Sequence, residues 1–324
     1  MLVKRTALGL IGLFAFATAC HAQEKATLRL DWSIGPWQAP FFLAEEKGYY
    51  KAEGLDLEIL EGKGSLTTMQ LVGRGNDTFG YVDAAGLPKA AAAGIPIKMV
   101  QGIYKKNMMA IVFRRDPNVK TLADLKGKTI TITAGDAQSN LMPAYLSANK
   151  LPSNFFKLMA VDGGAKYRLV ATGEADGVGS YGAIGIGLLE GIASGVQYQA
   201  FDFADSGITV PGFGVIASSD TIKKNPKLVA AFVRATGKAW QEARKDPNAA
   251  VDAVFRKFPQ AKSRDAEFRK ILTLLSDYID TPNTVGKPFG WMSPDDWAMA
   301  EKLLVQYADL KPTAESYYTN EFTK

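Results

Sequence analysis

The sequence predicts an α/β fold in which two lobes enclose a cleft and a helical region completes the chain. Three observations support this prediction. Short strand patterns alternate with helix patterns from residue 26 to residue 217, which is typical of mainly parallel sheets. The same rhythm restarts at residues 110–114, and from Asn225 onward the pattern is almost entirely helical. The roughly 300 residues that follow residue 22 also exceed what a single hydrophobic core usually accommodates, so two lobes are expected.

The first predicted unit begins with residues 26–32, where Leu28, Leu30 and Trp32 share one face of a strand. A helix through Phe41 follows, with a proline near its start and a glycine just past its end. Ser65 caps a second helix. The remaining elements are strands at 56–60, 79–82 and 97–103, and a short helix at 89–93.

The second unit opens with a strand at 110–114 and a capping box at Thr121 and Asp124. Its other predicted strands are 129–133, 158–161, 175–180 and 213–217, and its helices are 137–146, 166–172 and 184–193. Four helices then follow at 226–245, 248–258, 263–278 and 294–307. We place the chain crossings between lobes near 108–111 and 210–214. Lobe 1 is therefore predicted to comprise 23–109 and 213–324, and lobe 2 to comprise 110–212.

Residues 1–22 are predicted to be a secretory signal peptide. Lys4 and Arg5 precede an apolar run at 6–19 that is too short to span a bilayer. Cleavage after Ala22 would release a soluble chain, which is the favoured route. Lipidation of Cys20 is an alternative, and a cytosolic protein with a buried first helix is a third. The signal's removal lowers the formal net charge from +5 to +3, because it removes two cations and no anion.

The composition excludes several classes of function. After residue 22 the chain contains neither cysteine nor histidine, so it can form no Ser-His-Asp triad, no Cys-His pair and no metal site built on those ligands. Disulfides are excluded for the same reason. No extended basic cluster exists, which argues against a nucleic-acid partner. No spacing singles out a catalytic carboxylate or lysine, so no catalytic residue, metal or cofactor is predicted, and binding is the expected function.

Several short segments follow one another through nearly the whole chain after residue 22: Leu30-Asp31-Trp32, Ala39-Pro40-Phe41-Phe42-Leu43-Ala44, Lys47-Gly48-Tyr49-Tyr50, Glu53-Gly54-Leu55, residues 73–80, residues 122–128, Gly173-Glu174-Ala175-Asp176, Asn225-Pro226 and Asn320-Glu321-Phe322. Together, and in this order, they resemble one family of solute-binding proteins of ABC transporters, the relatives of thiamine-pyrimidine-precursor-binding proteins and of the yeast pyrimidine synthase. Riboflavin-, alkanesulfonate-, taurine- and nitrate-binding proteins are broader relatives.

The resemblance implies a type 2 periplasmic-binding-protein fold, hinge closure around a small solute, and delivery to an ABC permease of the inner membrane by a monomeric periplasmic protein. The synthase that shares the fold needs an active-site histidine and a cysteine-rich motif, which this chain lacks. Relatives that bind the thiamine pyrimidine often carry an Asn-His pair where this chain has Gly35-Pro36-Trp37-Gln38. This departure leaves the solute open.

Ligands of α/β sheets lie beyond the carboxyl ends of strands, so residues at predicted strand ends are the site candidates. In pyrimidine-binding relatives the pair matching Asp31 and Trp32 lies at the ligand. A carboxylate accepts hydrogen bonds from an aminopyrimidine, and an indole stacks on the ring. The alternative places Trp32 in the core and Asp31 as a cap. Trp37 and Gln38 follow on a loop, and the alternative for Trp37 is packing against the neighbouring helix.

The turn of residues 62–65 can direct backbone amides, with Ser65 and Thr67, at an anion, or it can be a plain helix cap. Other candidates lie at strand ends or at mirrored positions in the second lobe, and the alternative for Glu190 is a solvated helix face. These candidates are Tyr81, Asp83, Asp136, Ser139, Ser180, Tyr181, Glu190 and Phe213.

The aromatic and acidic content of this set favours a small, flat, aromatic or heterocyclic solute, with a thiamine pyrimidine precursor as the leading candidate. An alkanesulfonate or other small anion is the alternative. An enzyme acting on such a ring, and a sensor or adhesion module, are less favoured classes.

Overall fold

The computed structural model describes residues 23–134, 136–307 and 317–324. The predicted signal peptide, with Cys20, lies outside the described residues. The strands are β1 Glu24–Arg29, β2 Leu55–Leu60, β3 Phe79–Asp83, β4 Ile97–Gly102, β5 Met109–Arg114, β6 Thr129–Ile132, β7 Lys157–Ala160, β8 Gly177–Tyr181, β9 Tyr198–Asp202 and β10 Phe213–Ser218. The helices are α1 Ala39–Glu46, α2 Tyr49–Ala52, α3 Ser65–Gly73, α4 Leu87–Ala92, α5 Ala137–Ala148, α6 Gly163–Thr172, α7 Gly182–Ile192, α8 Ser219–Lys224, α9 Pro226–Lys245, α10 Pro247–Lys257, α11 Asp265–Leu275 and α12 Pro294–Tyr307.

Each lobe contains one five-stranded sheet. The first has the order β2-β1-β3-β10-β4, with β1 parallel to β2 and β3, and β10 antiparallel to both β3 and β4. The second has the order β7-β6-β8-β5-β9, with β6 parallel to β7 and β8, and β5 antiparallel to β8 and β9. In both sheets the antiparallel strand is the one that enters from the other lobe. The predicted pair of α/β lobes is therefore confirmed.

The chain crosses between the lobes twice, once between Gly102 and Met109 and once between Asp202 and Phe213. Residues 108–111 were expected to hold the first crossing, but β5 has already begun at Met109 and lies in the second sheet. Strand β9 was not predicted. It lies at a sheet edge and pairs only with β5. Tyr198 is buried and the four residues after it are all partly exposed, so buried and exposed positions do not alternate along this strand.

The C-terminal helices complete the core of lobe 1. Helices α9 and α10 pack on α1, where the Phe41 ring meets Trp240 edge to face at 4.4 Å between centroids. Helix α12 contacts both lobes. Its Trp297 belongs to a core cluster of lobe 1, whereas Ala300 and Leu304 pack in the core of lobe 2 against α5. Among the described residues no helix has the length and apolar character needed to cross a membrane.

Candidate functional site

A cavity of about 390 Å³ lies between the lobes, and we refer to it as the interlobe cavity. Both lobes contribute to its wall, as expected for a site at strand ends and between domains. Its lining comprises Asp31, Trp32, Ser33, Ile34, Trp37, Gly64 and Ser65 from lobe 1; Thr133, Asp136, Gln138, Gly163, Gly164, Lys166, Tyr167, Tyr181, Ile184, Leu188, Gly191 and Ile192 from lobe 2; and Arg264 and Glu267 at the start of α11.

Asp31 is the acidic group on the lobe 1 side of the cavity, two residues beyond the end of β1. Its carboxylate Oδ1 accepts hydrogen bonds from Gln38 Nε2 at 2.6 Å and from Trp37 Nε1 at 3.2 Å. Only 7% of the residue is exposed. Burial raises the pKa of Asp31 to about 6, although the hydrogen bonds from Gln38 and Trp37 act in the opposite direction. The carboxyl group is thus held in place and titrates close to neutral pH.

The glycine turn before α3 packs against the end of β1. The amides of Gly62 and Gly64 donate to the carbonyl oxygens of Trp32 and Asp31 at 3.0 and 2.7 Å. A Cβ at Gly62 would lie 1.8 Å from the Leu30 carbonyl oxygen, so only glycine permits this approach. Because both glycine amides are used by the backbone, neither is available to the anion that the sequence suggested as an alternative for this turn.

Asp83 and Tyr181 form a hydrogen bond between the lobes. Tyr181 Oη donates to Asp83 Oδ2 at 2.7 Å, and the backbone amide of Ala85 donates to Asp83 Oδ1 at 2.8 Å. Asp83 is 1% exposed, and burial raises its pKa to about 7, with smaller contributions from Asp31 and Asp136. Tyr181 lines the cavity, whereas Asp83 lies behind it and fixes the tyrosine.

An aromatic layer supports Tyr181 from behind. The Phe213 ring meets Tyr181 edge to face at 5.0 Å and stacks on Tyr81 at 5.2 Å. Tyr81 and Phe213 are fully buried and do not line the cavity. These two predicted site residues therefore form the base of the site, because their side chains point into the core of lobe 1 instead of the cleft.

In lobe 2, Asp136 and Lys166 form an ion pair in the cavity wall, with 3.3 Å between Nζ and Oδ2. Lys166 also donates to the Gly179 carbonyl oxygen at 3.1 Å. Asp136 Oδ1 caps α5 by accepting from the Ser139 amide at 2.7 Å, so Ser139 takes part in the cap. Ser180 is buried and its hydroxyl bonds that of Tyr167 at 2.8 Å.

Trp32 reaches across the cleft to the start of α6. A Cβ built on Gly163 would come within 1.9 Å of the Trp32 ring, so the indole lies directly on the glycine backbone. The next residue, Gly164, has open space where its Cβ would stand. Close contact between a lobe 1 tryptophan and a lobe 2 backbone indicates that this arrangement of the lobes is a closed one.

Arg264 and Glu267, at the start of helix α11, also line the cavity. Arg264 Nε donates to Glu267 Oε2 at 2.9 Å. Glu267 lies against Gly191 of α7, and the exposed Ile192 lies beside it in the lining. The predictions missed both charged residues because they considered no position in the C-terminal helical region.

Of the fourteen predicted site residues, six line the cavity: Asp31, Trp32, Trp37, Ser65, Asp136 and Tyr181. Six others support them from behind or cap a helix: Gln38, Tyr81, Asp83, Ser139, Ser180 and Phe213. The structure does not bring the remaining two to the cavity. Thr67 is exposed on α3, and Glu190 forms an ion pair with Lys270 at 2.8 Å on an exposed helix face.

The predictions also missed Lys166, Tyr167 and the glycine pair at 163–164. The glycine pair had a usable signal, since two adjacent glycines at a helix start indicate close approach of another group. The described residues contain no group of three acidic, histidine or cysteine side chains suited to a metal ion. The arrangement of aromatic walls, a buried carboxyl group and paired charges is suited to holding a small polar ring.

Two α/β lobes, two crossings and a cavity between them define the fold class of the periplasmic binding proteins. Residues 36–250 match the model of the family described as NMT1/THI5 like, so the chain belongs to that family. The family resemblance and the fold class predicted from the sequence are thereby confirmed.

Three similar proteins illustrate the range of the family and the fold. A Haemophilus influenzae protein assigned provisionally to thiamine biosynthesis is 26% identical over 157 residues, which cover 48% of this chain and half (50%) of that relative. A 4-amino-5-hydroxymethyl-2-methylpyrimidine phosphate synthase of Saccharomyces cerevisiae is 24% identical over 92% of this chain and 88% of its own length. The alkanesulfonate-binding protein of Xanthomonas axonopodis matches 90% of this chain and 96% of its own with a TM-score of 0.68 at 13% identity, which shows a shared fold.

Proposed function

We propose that this protein is the solute-binding component of an ABC importer and captures a flat aminopyrimidine-type heterocycle, such as a thiamine pyrimidine precursor, between its lobes. The observation that carries the proposal is the interlobe cavity, in which the buried Asp31 carboxyl group stands beside the aromatic side chains of Trp32, Trp37 and Tyr181. Indole and phenol rings bind the faces of a planar ring. A carboxyl group accepts from an exocyclic amine, and when protonated it also donates to a ring nitrogen.

The charges of the cavity favour this solute over the sulfonate alternative. Lys166 and Arg264 are the cations of the lining, and each is paired with a carboxylate, Asp136 and Glu267 respectively. Among the described residues Asp31 is the lining group with a charge and no ion pair. A bound anion would face an unpaired carboxylate and no unpaired cation, whereas an amine would find a buried acceptor.

Calorimetric titration tests the choice of solute. The wild-type protein is expected to bind 4-amino-5-hydroxymethyl-2-methylpyrimidine and to bind ethanesulfonate at least 10-fold more weakly. Asp31→Asn removes a charged acceptor that is worth about 1.5–3 kcal/mol, so it should weaken pyrimidine binding at least 10-fold. Tighter wild-type binding of the sulfonate than of the pyrimidine would refute the proposal.

Asp136→Asn provides a gain-of-function test of the same argument. Asparagine is as good a helix cap as aspartate, so α5 should be preserved while Lys166 loses its ion-pair partner. The variant should bind ethanesulfonate more tightly than the wild-type protein, and its pyrimidine affinity should change less. If sulfonate binding does not improve, the paired lysine is not what disfavours anions.

The synthase names of the yeast relatives make a pyrimidine-processing enzyme the second candidate. Residues 23–324 contain no histidine or cysteine, which argues for binding without turnover. Incubation of the purified protein with the pyrimidine, followed by mass spectrometry, should return the compound unchanged. Export to the periplasm, a monomeric state and a permease partner belong to the same proposal. Intact-mass analysis of the mature protein should find Gln23 at the N-terminus, whereas a lipid on Cys20 would indicate the alternative route.

A further inference from the structure

A second cavity, of about 410 Å³, lies where the chain crosses between the lobes, and we refer to it as the hinge cavity. The first crossing contributes Lys105, Lys106 and Asn107, and the second contributes Thr209, Val210 and Pro211. The end of β9, the segment 278–283 and the first turns of α12 complete the wall. The hinge cavity is as large as the interlobe cavity and shares no lining residue with it.

The interior of the hinge cavity is largely apolar. Its apolar lining residues include Val210, Pro211, Tyr278, Pro282 and Met299. Met299 is 54% exposed, although it lies on a helix that packs into the cores of both lobes. An exposed apolar side chain facing a concave apolar wall is typical of a binding site for the apolar part of a small molecule.

The charged groups of the hinge cavity are predominantly acidic. Asp202, Asp205, Asp295 and Asp296 line it, against two lysines. One of these lysines, Lys105, is 5% exposed and forms an ion pair with Asp280, with 2.9 Å between Nζ and Oδ1. Asp280 itself does not line the cavity.

The carboxylates differ in their availability to a ligand. Asp296 accepts hydrogen bonds from Thr281 and Asn283 at 2.7 and 2.6 Å. Asp205 and Asp295 are exposed, and neither forms an ion pair within the described part of the chain. Burial, together with the charge of Asp205, raises the pKa of Asp202 to about 6, which is the direction expected where negative charge accumulates. A positive ligand group would relieve this repulsion.

We propose that the hinge cavity is a second binding site, selective for a small organic cation that combines an apolar ring or chain with an amine or amidine group. The apolar part packs between Val210, Pro282 and Met299, and the cationic group lies near Asp205 and Asp295. The inference does not depend on the solute of the interlobe cavity, because the two cavities have separate walls.

Benzamidinium is a suitable probe, and its neutral isostere benzamide is the matched control ligand. Calorimetric titration at pH 8 should detect benzamidinium binding to the full mature protein, with benzamide at least 10-fold weaker. The double variant Asp205→Asn, Asp295→Asn should weaken benzamidinium binding at least 10-fold. Both residues are exposed, so this variant should retain the wild-type unfolding temperature.

Asp31→Asn distinguishes the two cavities, because the interlobe cavity also offers aromatic side chains and a carboxyl group to benzamidinium. This variant should bind benzamidinium within 2-fold of the wild-type protein. Three results would overturn the proposal: no binding to the wild-type protein, equal binding of benzamide, or binding that Asp31→Asn abolishes and the double variant retains. A crystal soaked with benzamidinium should place the ring against Met299.

Discussion

Asp83→Asn should make the protein more stable at neutral pH and leave its stability nearly unchanged in acid. The carboxyl group of Asp83 is 1% exposed, and burial raises its pKa from 3.8 to about 7. Well below pH 3.8 the group is protonated in both the folded and the unfolded chain, so it has no effect on the pH dependence of the free energy of unfolding. Between pH 4 and pH 7 only the unfolded chain releases the proton, so stability falls as the pH rises. Above pH 7 the loss is complete and constant.

The size of the effect follows from the shift. A rise of about 3 pKa units corresponds to at most ~4 kcal/mol of unfolding free energy between pH 4 and pH 7. Asparagine does not titrate, and it retains a carbonyl oxygen for the Ala85 amide while its Nδ2 can donate to the Tyr181 hydroxyl. The variant should therefore preserve the contact between the lobes.

Urea unfolding, followed by tryptophan fluorescence at pH 4.5 and pH 7.5, measures the difference between the two proteins. The stability of Asp83→Asn relative to the wild-type protein should increase by a few kcal/mol from the lower to the higher pH. Comparing the two proteins at each pH cancels the titration of the groups that do not interact with Asp83. If the difference is the same at both pH values, Asp83 does not carry a raised pKa and the reasoning is wrong.

Two further predictions concern the walls of the interlobe cavity. Gly163→Ala should weaken solute binding at least 10-fold, because the new Cβ would stand 1.9 Å from the Trp32 ring. Gly164→Ala should retain affinity, because its Cβ would meet open space, and it should stabilise α6 by up to ~1 kcal/mol. Titration calorimetry and thermal unfolding of both variants test this pair, and equal affinities would show that the Trp32 contact does not matter. Glu190→Ala should change solute affinity less than 2-fold and stability by at most ~1 kcal/mol, since its ion pair with Lys270 is exposed. A large loss of affinity would return Glu190 to the site.

Local signals predicted several elements well. Helix α9 begins at Pro226 and ends at Lys245, and α12 begins at Pro294, as the sequence indicated. In both cases a proline in the first turn and a long apolar periodicity act within the helix itself, so no distant contact is needed to define it. Strand β9 has no comparable local signal, because its pairing with β5 is decided by residues about 90 positions away.

The division of the site residues into lining and support also depended on distant contacts. Asp31, Asp83 and Tyr81 all occupy strand ends or strands in the sequence, but only Asp31 faces the cavity. Asp83 turns toward Tyr181 of the other lobe, and Tyr81 is covered by Phe213, which follows it by more than 130 residues. Strand periodicity specifies alternate faces, but it does not specify which face a second lobe will cover.

The sequence by itself determined the α/β class, the two lobes, the helical C-terminal region, the family and the absence of histidine and cysteine from residues 23–324. The fold class and the organisation follow from local periodicity and capping, the absences follow from composition, and the family follows from the resemblance of short segments. Only the tertiary structure decided that Lys166 and Arg264 are neutralised by carboxylates, that Trp32 lies on Gly163, and that α12 links the lobes beside a second cavity. The Lys166–Asp136 pair, the Trp32–Gly163 contact and the packing of α12 each join residues far apart in the chain. Arg264 and Glu267 are only three residues apart, but the fold brings this pair to the cavity.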